Sequence, residues 1–388
     1  MRPSDGSVES GPAMWLNRGH IAIRTAVPDE CPPWKSEFRV SPTGAEPSAK
    51  KAKEAMARHP HVLITGAGML GAHAARLFLA RGWGVTLVDR EVKERYLQDI
   101  LGEDAPVTMI QVDLSDEHAT AQALQDVRPD VVLNTAALVA ARAQLDPVLT
   151  LDINVKMPLR LAQWATSVGA ERFVSISSFG VYAADQTTRI TESSPTMSPH
   201  VSHYGASKAA MENILGAYAV ASGLKCVMIR PAIIYGYGPN LGGSIASAIL
   251  EDLVVRAVRG EAVVLPPGMT SESEYTYVGD VAEAAFGAAT YDTDDVFAVF
   301  NAGSQQTTST TRFADVLRAL FPDVSVTEAP RDDTLFGPPR QQHATDLTRT
   351  IDTLQIPVPR TIEAGLAQFV DDLRSASHLD HVTSLSWR

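Results

Sequence analysis

Tyr204, Gly205, Ala206, Ser207 and Lys208 form a Tyr-x-x-x-Lys pair. On a helix, positions i and i+4 share a face, so the phenol and the ammonium point the same way. A tyrosine ordinarily titrates at about pH 10. A neighbouring cation favours the phenolate and lowers that value. Tyr204 is then able to take a proton from a substrate hydroxyl while a hydride leaves the same carbon. Upstream, the apolar run ERFVSISS ends on Ser177 and Ser178. Ser178 is placed to hydrogen-bond the reacting oxygen and steady its developing charge. Taken singly, these residues are ordinary: Tyr and Lys meet on surface helices by chance, and serines cap turns. Taken together, they require three elements to converge at one sheet edge.

The element that organises that edge is HVLITGAGMLG, residues 61–71. Val62 and Ile64 alternate with Leu63 in a short buried strand. Gly66, Gly68 and Gly71 follow in GxGxxG spacing, and Leu70, Ala74, Leu77 and Phe78 continue at helical spacing. Gly66 permits the tight turn, Gly68 lets a pyrophosphate approach the backbone, and Gly71 lets the helix pack on the strand. The helix start offers free N–H groups and a positive dipole end to phosphates. A second strand, GVTLVD, ends on Asp89. That acid stands roughly 20 residues on, where a carboxylate holds an adenosine ribose. The reading is dinucleotide binding rather than an incidental tight turn.

Strand and helix then alternate. VTMIQVD is a third strand ending on Asp113, and 116–127 is a helix with Ser115 as N-cap. DVVLNTAA is the fourth strand, 147–168 a long helix containing Asn154, and ERFVSISS the fifth strand. Residues 202–222 are helical and LKCVMIRP is the sixth strand. This pattern predicts an α/β fold: a doubly wound parallel sheet of Rossmann type, covered on both faces. After Pro231 the alternation breaks into a Gly- and Pro-containing region. A helix near 245–259, a strand VFAVFNA and two C-terminal helices complete it. The expected organisation is an N-terminal extension over 1–58 read as a mobile tail ending in a short helix. A dinucleotide-binding domain over 59–235 takes back the strand near 296–302. A smaller, mainly substrate-binding lobe spans 236–388 and covers the nicotinamide end. Met56, just before the first strand, is an alternative start.

Composition excludes other classes. The formal net charge is −12 and no basic cluster accompanies aromatics, which argues against nucleic-acid binding. Two cysteines, Cys31 and Cys226, make neither a disulfide framework nor a cysteine metal site and fit a reducing cytoplasm. No apolar run reaches membrane-spanning length, and the first residues lack the apolar core of a signal peptide. His59 and His61 have no partner at metal spacing, so no metal is expected; His203 reads as an exposed loop histidine. No GxSxG elbow is present, which argues against hydrolysis.

The motifs TGAGMLG, NTAA (134–137), SSFGVY (177–182), YGASK (204–208) and RPAIIYG (230–236) occur in this order. With Asp89, YVGDVAEA and TDLTRTIDTLQIPVPRTIEAGL, they resemble the extended short-chain dehydrogenase/reductases, the NAD-dependent epimerase/dehydratase family, over about residues 61–372. The resemblance implies Ser178, Tyr204 and Lys208 as the catalytic trio, with Lys208 also holding the nicotinamide ribose. It implies cofactor contacts from Gly66, Gly68, Met69, Leu70 and Gly71 and from Asp89 and Arg90. Asp113 and Leu114 come near the adenine, and Thr135, Ala136 and Ala137 run along the cofactor. Asn154, Tyr204, Lys208 and Pro231 complete the set. A small-molecule substrate and a homodimer are also implied. Two departures stand out. Ile233 occupies a position where nucleotide-sugar epimerases of the family commonly carry Asn. Ser273 and Glu274 precede Tyr275, where such enzymes often carry a phosphate-binding Arg. A Glu there repels a diphosphate. Both favour a sugar, sugar acid or other secondary alcohol, with Arg256 or Arg259 available to hold an anion.

Asp89 favours NAD over NADP, because a carboxylate repels a 2′-phosphate; Arg90 beside it is the complication. The preferred reading is an NAD-dependent oxidoreductase of a hydroxylated, carbohydrate-like substrate. The alternatives are a nucleotide-sugar epimerase or dehydratase with no net redox, and a non-enzymatic dinucleotide sensor.

Overall fold

In the computed structural model, residues 59–376 are described except 184–187, 198, 200–201, 240–244, 267–271 and 330–342. The tail and short helix expected over 1–58 lie outside the described residues, and the described residues all belong to one compact unit.

The first half alternates strand and helix. It runs β1 (His61–Thr65), α1 (Met69–Ala80), β2 (Gly84–Asp89), α2 (Glu94–Leu101), β3 (Val107–Gln111), α3 (Glu117–Ala123) and β4 (Val131–Asn134). Then come α4 (Ala140–Leu145), α5 (Pro147–Leu151), a π turn (Asp152–Lys156), α6 (Met157–Ser167), β5 (Arg172–Ile176), α7 (His203–Ser222) and β6 (Lys225–Pro231). The second half holds β7 (Ile233–Tyr235), α8 (Ile245–Val258), β8 (Val263–Leu265), β9 (Ser273–Tyr277), α9 (Val278–Thr290) and β10 (Phe297–Ala302). It ends with β11 (Thr307–Thr308), α10 (Thr310–Leu320), β12 (Val326–Glu328), α11 (Thr348–Leu354) and α12 (Ile362–Ser375).

Seven strands form the main sheet in the order β10-β6-β5-β4-β1-β2-β3, each pair parallel. Its central strands are buried on both faces, so alternate residues feed opposite cores. Val62 and Ile64 pack with Ala72, Ala75 and Phe78 of α1 and with α9; Leu63 faces the other way, with Leu161 and Ala165 of α6 and Met211 and Leu215 of α7. The chain reverses direction across the sheet between β1 and β4, and the carboxyl ends of those strands open the crevice where a ligand sits. Shorter strands make a second sheet, β11-β9-β7, and a pair, β12-β8.

The structure differs from the sequence-based expectation in four places. The helix expected over 116–127 is capped by Asp116, whose carboxylate accepts from Ala119 N; Ser115 instead donates to Asp113. The helix over 147–168 is interrupted by the π turn that contains Asn154. α9, unanticipated, packs on α1 and closes one face of the main sheet. Three helices, not two, follow β10 among the described residues. Propensity marks a helix, but whether one is kinked or continued is decided by tertiary partners.

Candidate active site

The glycine turn has the shape its spacing demands. Gly66 has φ +88°, where a Cβ would strike Thr135 Oγ1, and a Cβ on Gly71 would collide with the Gly66 carbonyl. A Cβ on Gly68 would meet nothing within 4 Å, so this residue borders open space. Helix α1 starts there with no side-chain cap and no acidic residue in its first turn. Its N–H groups and dipole are therefore available to an anion. Thr135 spends its hydroxyl on the carbonyls of Thr65 (2.7 Å) and Gly66 (3.0 Å), bracing the turn from β4. Asp89 accepts from Ala67 N at 2.7 Å and Glu91 N at 3.0 Å, which holds its carboxylate at the mouth of the turn. Met69 and Leu70 are half-buried, and Met69 packs against Gly238. Arg90 and Asp113 are exposed beyond β2 and β3, with Leu114 half-buried beside them. Hydrogen bonds from Ser115 hold the Asp113 carboxyl below its ordinary range. Ala136 and Ala137 line the start of the segment leaving β4, half-buried, and Pro231 is buried at the end of β6.

The expected trio converges. Ser178 follows β5 in extended backbone and accepts from Gly180 N at 3.0 Å. The Ser178 hydroxyl lies close enough to the Tyr204 phenol to pull its titration down. Lys208, one helical turn on, is buried; its ammonium donates to the Ile176 carbonyl at 2.7 Å and stands 5.9 Å from the centre of the Tyr204 ring. Asn154, buried in the π turn, donates to the Leu138 carbonyl (2.9 Å) and accepts from Leu138 N (2.8 Å). It also bonds Ser207 at 2.9 Å, and Ser207 in turn donates to the Tyr204 carbonyl at 2.8 Å. A π turn places a side chain off the regular helical face, as functional sites often require. Here it ties the segment after β4 to the helix that carries Tyr204 and Lys208.

Electrostatics correct one expectation. The Tyr204 phenol is raised above its ordinary value by burial, which the nearby Ser178 hydroxyl only partly offsets. Burial also pushes Lys208 down to about 8, against the pull of Glu212. Desolvation outweighs the expected effect of the cation on the phenol when both groups are withdrawn from water.

The lobe corrects two more. Glu274 does not face a ligand: it is buried and accepts from Ser304 N, Gln305 N, Thr345 N and Thr345 Oγ1 at 2.7–2.9 Å. Its charge is spent on loop backbone and argues neither for nor against a diphosphate. Arg256 is committed to Asp252 at 2.8 Å and Glu261 at 3.7 Å, so it does not serve as the anion holder. His203 opens α7, exposed, with its ring near the Gln144 carbonyl. A cavity of about 700 Å³ lies away from the crevice, beside edge strand β10, lined by Glu192, Phe297, Val299, Asp346 and Arg349.

Sequence reasoning missed a cluster behind the trio: Glu212, Arg230, Tyr182 and Asn301, all buried, and half-buried Glu192. Arg230 pairs with Glu212 at 2.6 Å and reaches the Tyr182 hydroxyl at 2.9 Å; Tyr182 donates to Asn301 at 2.7 Å. Glu192 accepts from Asn301 N at 2.8 Å. One signal was present: Glu212 stands four residues after Lys208 on the same helix face.

Residues 62–303 match the family described as the NAD dependent epimerase/dehydratase family. The chain is 27% identical over 328 residues to the UDP-glucose 4-epimerase of Mycolicibacterium smegmatis, covering 81% of this chain and 99% of that one. It is 30% identical over 216 residues to the D-erythronate dehydrogenase of Cupriavidus necator, covering 53% and 64%. Among solved structures it is similar to the Thermus thermophilus UDP-glucose 4-epimerase complex with NAD. There the TM-score is 0.68 at 26% identity, covering 81% of this chain and 99% of that one.

Proposed function

We propose, from the premise that this chain belongs to the NAD dependent epimerase/dehydratase family, that it oxidises a secondary alcohol of a carbohydrate-like substrate. Membership makes it an enzyme of the extended short-chain dehydrogenase/reductase type, with NAD as cofactor. Bound NAD supplies the hydride acceptor. The uncapped α1 start and the open space at Gly68 would hold its pyrophosphate, and Asp89 its adenosine ribose. Lys208 would hold the nicotinamide ribose. Asp89, at the mouth of the turn, disfavours a 2′-phosphate and so NADP.

The observation that carries the reaction is the placing of the Tyr204 phenol near the Ser178 hydroxyl with Lys208 on the same helix face. Ser178 orients the substrate oxygen, Tyr204 accepts its proton, and Lys208, 5.9 Å from the ring, opposes the desolvation that disfavours the phenolate. Net oxidation of a sugar or sugar acid is supported by Ser273 and Ile233 at the departures noted above. The second reading, a UDP-sugar 4-epimerase, is favoured by the likeness to the M. smegmatis enzyme along 81% of the chain. The test is incubation with NAD and panels of sugars, sugar acids and UDP-sugars, read by NADH absorbance and product identity. NADH accumulation with a sugar or sugar acid is expected. Conversion of a UDP-sugar to its epimer without net NADH overturns it.

The assembly is read as a homodimer, supported by exposed aliphatic side chains gathered on α4 and α5. Leu145 is 84% exposed, Val148 70% and Leu151 50%, and both helices pack on α7, where Ile214 is exposed. Such a concentration of apolar surface marks a contact site. Sedimentation should find a dimer that Val148→Glu converts to a monomer; an unchanged state in that variant refutes this surface.

A further inference from the structure

Glu212 lies one turn beyond Lys208 on the same face of α7, and both are buried. One carboxylate oxygen accepts from the Ser177 hydroxyl and from Arg230 Nε at 2.9 Å; the other accepts from Arg230 Nη2 at 2.6 Å. Each anchor neighbours a site residue in the chain: Ser177 precedes Ser178, and Arg230 precedes Pro231. A single carboxylate therefore joins the end of β5, the end of β6 and the helix that carries Tyr204 and Lys208. Stability alone does not account for it. A buried ion pair replaced by apolar groups of similar volume is often neutral or better.

We infer that Glu212 is a positioning residue: its carboxylate keeps Lys208 in the charged form that grips the cofactor and pins the strand end bearing Ser178. The inference rests on the reading of Lys208 as the ribose-holding group. The groups around Lys208 are few. Tyr204 lies one turn earlier on α7, and burial raises its phenol above the ordinary range. Arg230 enters from β6 already paired with Glu212, and Tyr182, from the turn after β5, is bonded to Arg230. Asp152 and Lys156 of the π turn pair with each other on an exposed face. Among the described residues Glu212 is thus the carboxylate that opposes the desolvation of Lys208, and its removal takes that opposing charge away.

The experiment is the dissociation constant for NAD, by calorimetry from about pH 6 to pH 10, for the full-length wild type, Lys208→Met, Glu212→Gln, Arg230→Met and the Glu212→Gln/Arg230→Met double variant. Wild-type affinity should fall as pH rises through about 8, as Lys208 loses its charge. Glu212→Gln should move that fall to lower pH by about one unit, whereas Arg230→Met, which keeps the carboxylate, should not move it down. A merely structural role predicts that both single variants weaken binding equally at every pH with the midpoint in place, and that result overturns the inference. If Glu212→Gln does not fold, the charge-balanced double variant replaces it and must show the same downward shift. A wild-type fall that the Glu212 variants leave in place sinks Glu212 alone. Absence of any fall near pH 8, with Lys208→Met binding as tightly as wild type, sinks the Lys208 reading itself.

Discussion

Between Val62 and Pro231 the polar side chains gather at the carboxyl ends of the strands: Thr135 on the glycine turn, Ser178 beside Tyr204, Asn154 on Ser207. Beyond Pro231 they turn inward. Glu274 holds the backbone of Ser304, Gln305 and Thr345; Asp280 holds Arg360; Asp372 takes the Tyr277 hydroxyl and Arg76. The regular sheet stabilises itself through its ladders and two apolar faces, which leaves its edge groups for a ligand. The lobe is built of strands only two to five residues long, and it recruits carboxylates to satisfy loop N–H groups. A carboxylate in the first region is therefore a candidate for function, and one in the second is first a candidate for structure.

The comparison breaks most visibly at Tyr204. Tyr204→Phe keeps the ring and removes the proposed proton acceptor, so turnover should fall by about 10²–10⁴-fold while NAD affinity survives. Because burial raises the phenol, wild-type activity should climb with pH on the alkaline side, and that limb should vanish in the variant. Stopped-flow or steady-state rates across pH decide it; near-full turnover in Tyr204→Phe ends the catalytic assignment.

Glu274→Ala tests the other half. It strands three backbone N–H groups and the Thr345 hydroxyl in the interior. At about 1–3 kcal/mol for each buried group left unpaired, a loss of at least about 3 kcal/mol is expected, visible in denaturant unfolding. NAD affinity of the folded fraction should hold. A stable variant that loses the cofactor would place Glu274 in the site and erase the distinction drawn above.

This asymmetry also explains what the sequence discloses. GAGMLG, Asp89 and YGASK are local: a few adjacent residues carry the whole signal, and the structure has the turn, the carboxylate and the helix face where spacing puts them. Glu274 was misread because its partners lie some thirty and seventy positions away, and no local pattern announces them. Tyr204 was misread in sign because desolvation depends on packing, which spacing does not report. Asp116 displaced Ser115 as cap because Ser115 was taken by Asp113. The π turn at Asn154 has no sequence mark, since it arises where the side chain must reach both Leu138 and Ser207.

The smallest expected effect sits on the seam between the regions. His73 projects from α1 and is buried; its Nε2 donates to the Tyr237 carbonyl at 3.0 Å, and its Nδ1 accepts from Arg76 at 3.1 Å. Arg76 then reaches Asp372 of α12 at 3.6 Å. With one nitrogen donating and the other accepting, the ring is neutral. Burial, reinforced by Arg76, lowers its titration from 6.5 to about 4. The unfolded chain therefore binds the proton first. Stability from this group is complete above pH 6.5 and is lost as pH falls towards 4. By pH 5 the loss amounts to about 2 kcal/mol. His73→Gln keeps a donor and an acceptor but cannot titrate, so its stability between pH 7 and pH 5 should decline less than that of the wild type. Paired unfolding curves at the two pH values measure the difference. Because the bond joins the glycine-turn helix to the loop after β7, acid should loosen the lobe before the main sheet. Hydrogen exchange at pH 5 should then show faster exchange in α12 than in β1 and β4. Equal loosening of both, or an undiminished acid limb in His73→Gln, would mean that the two regions are not joined through this histidine.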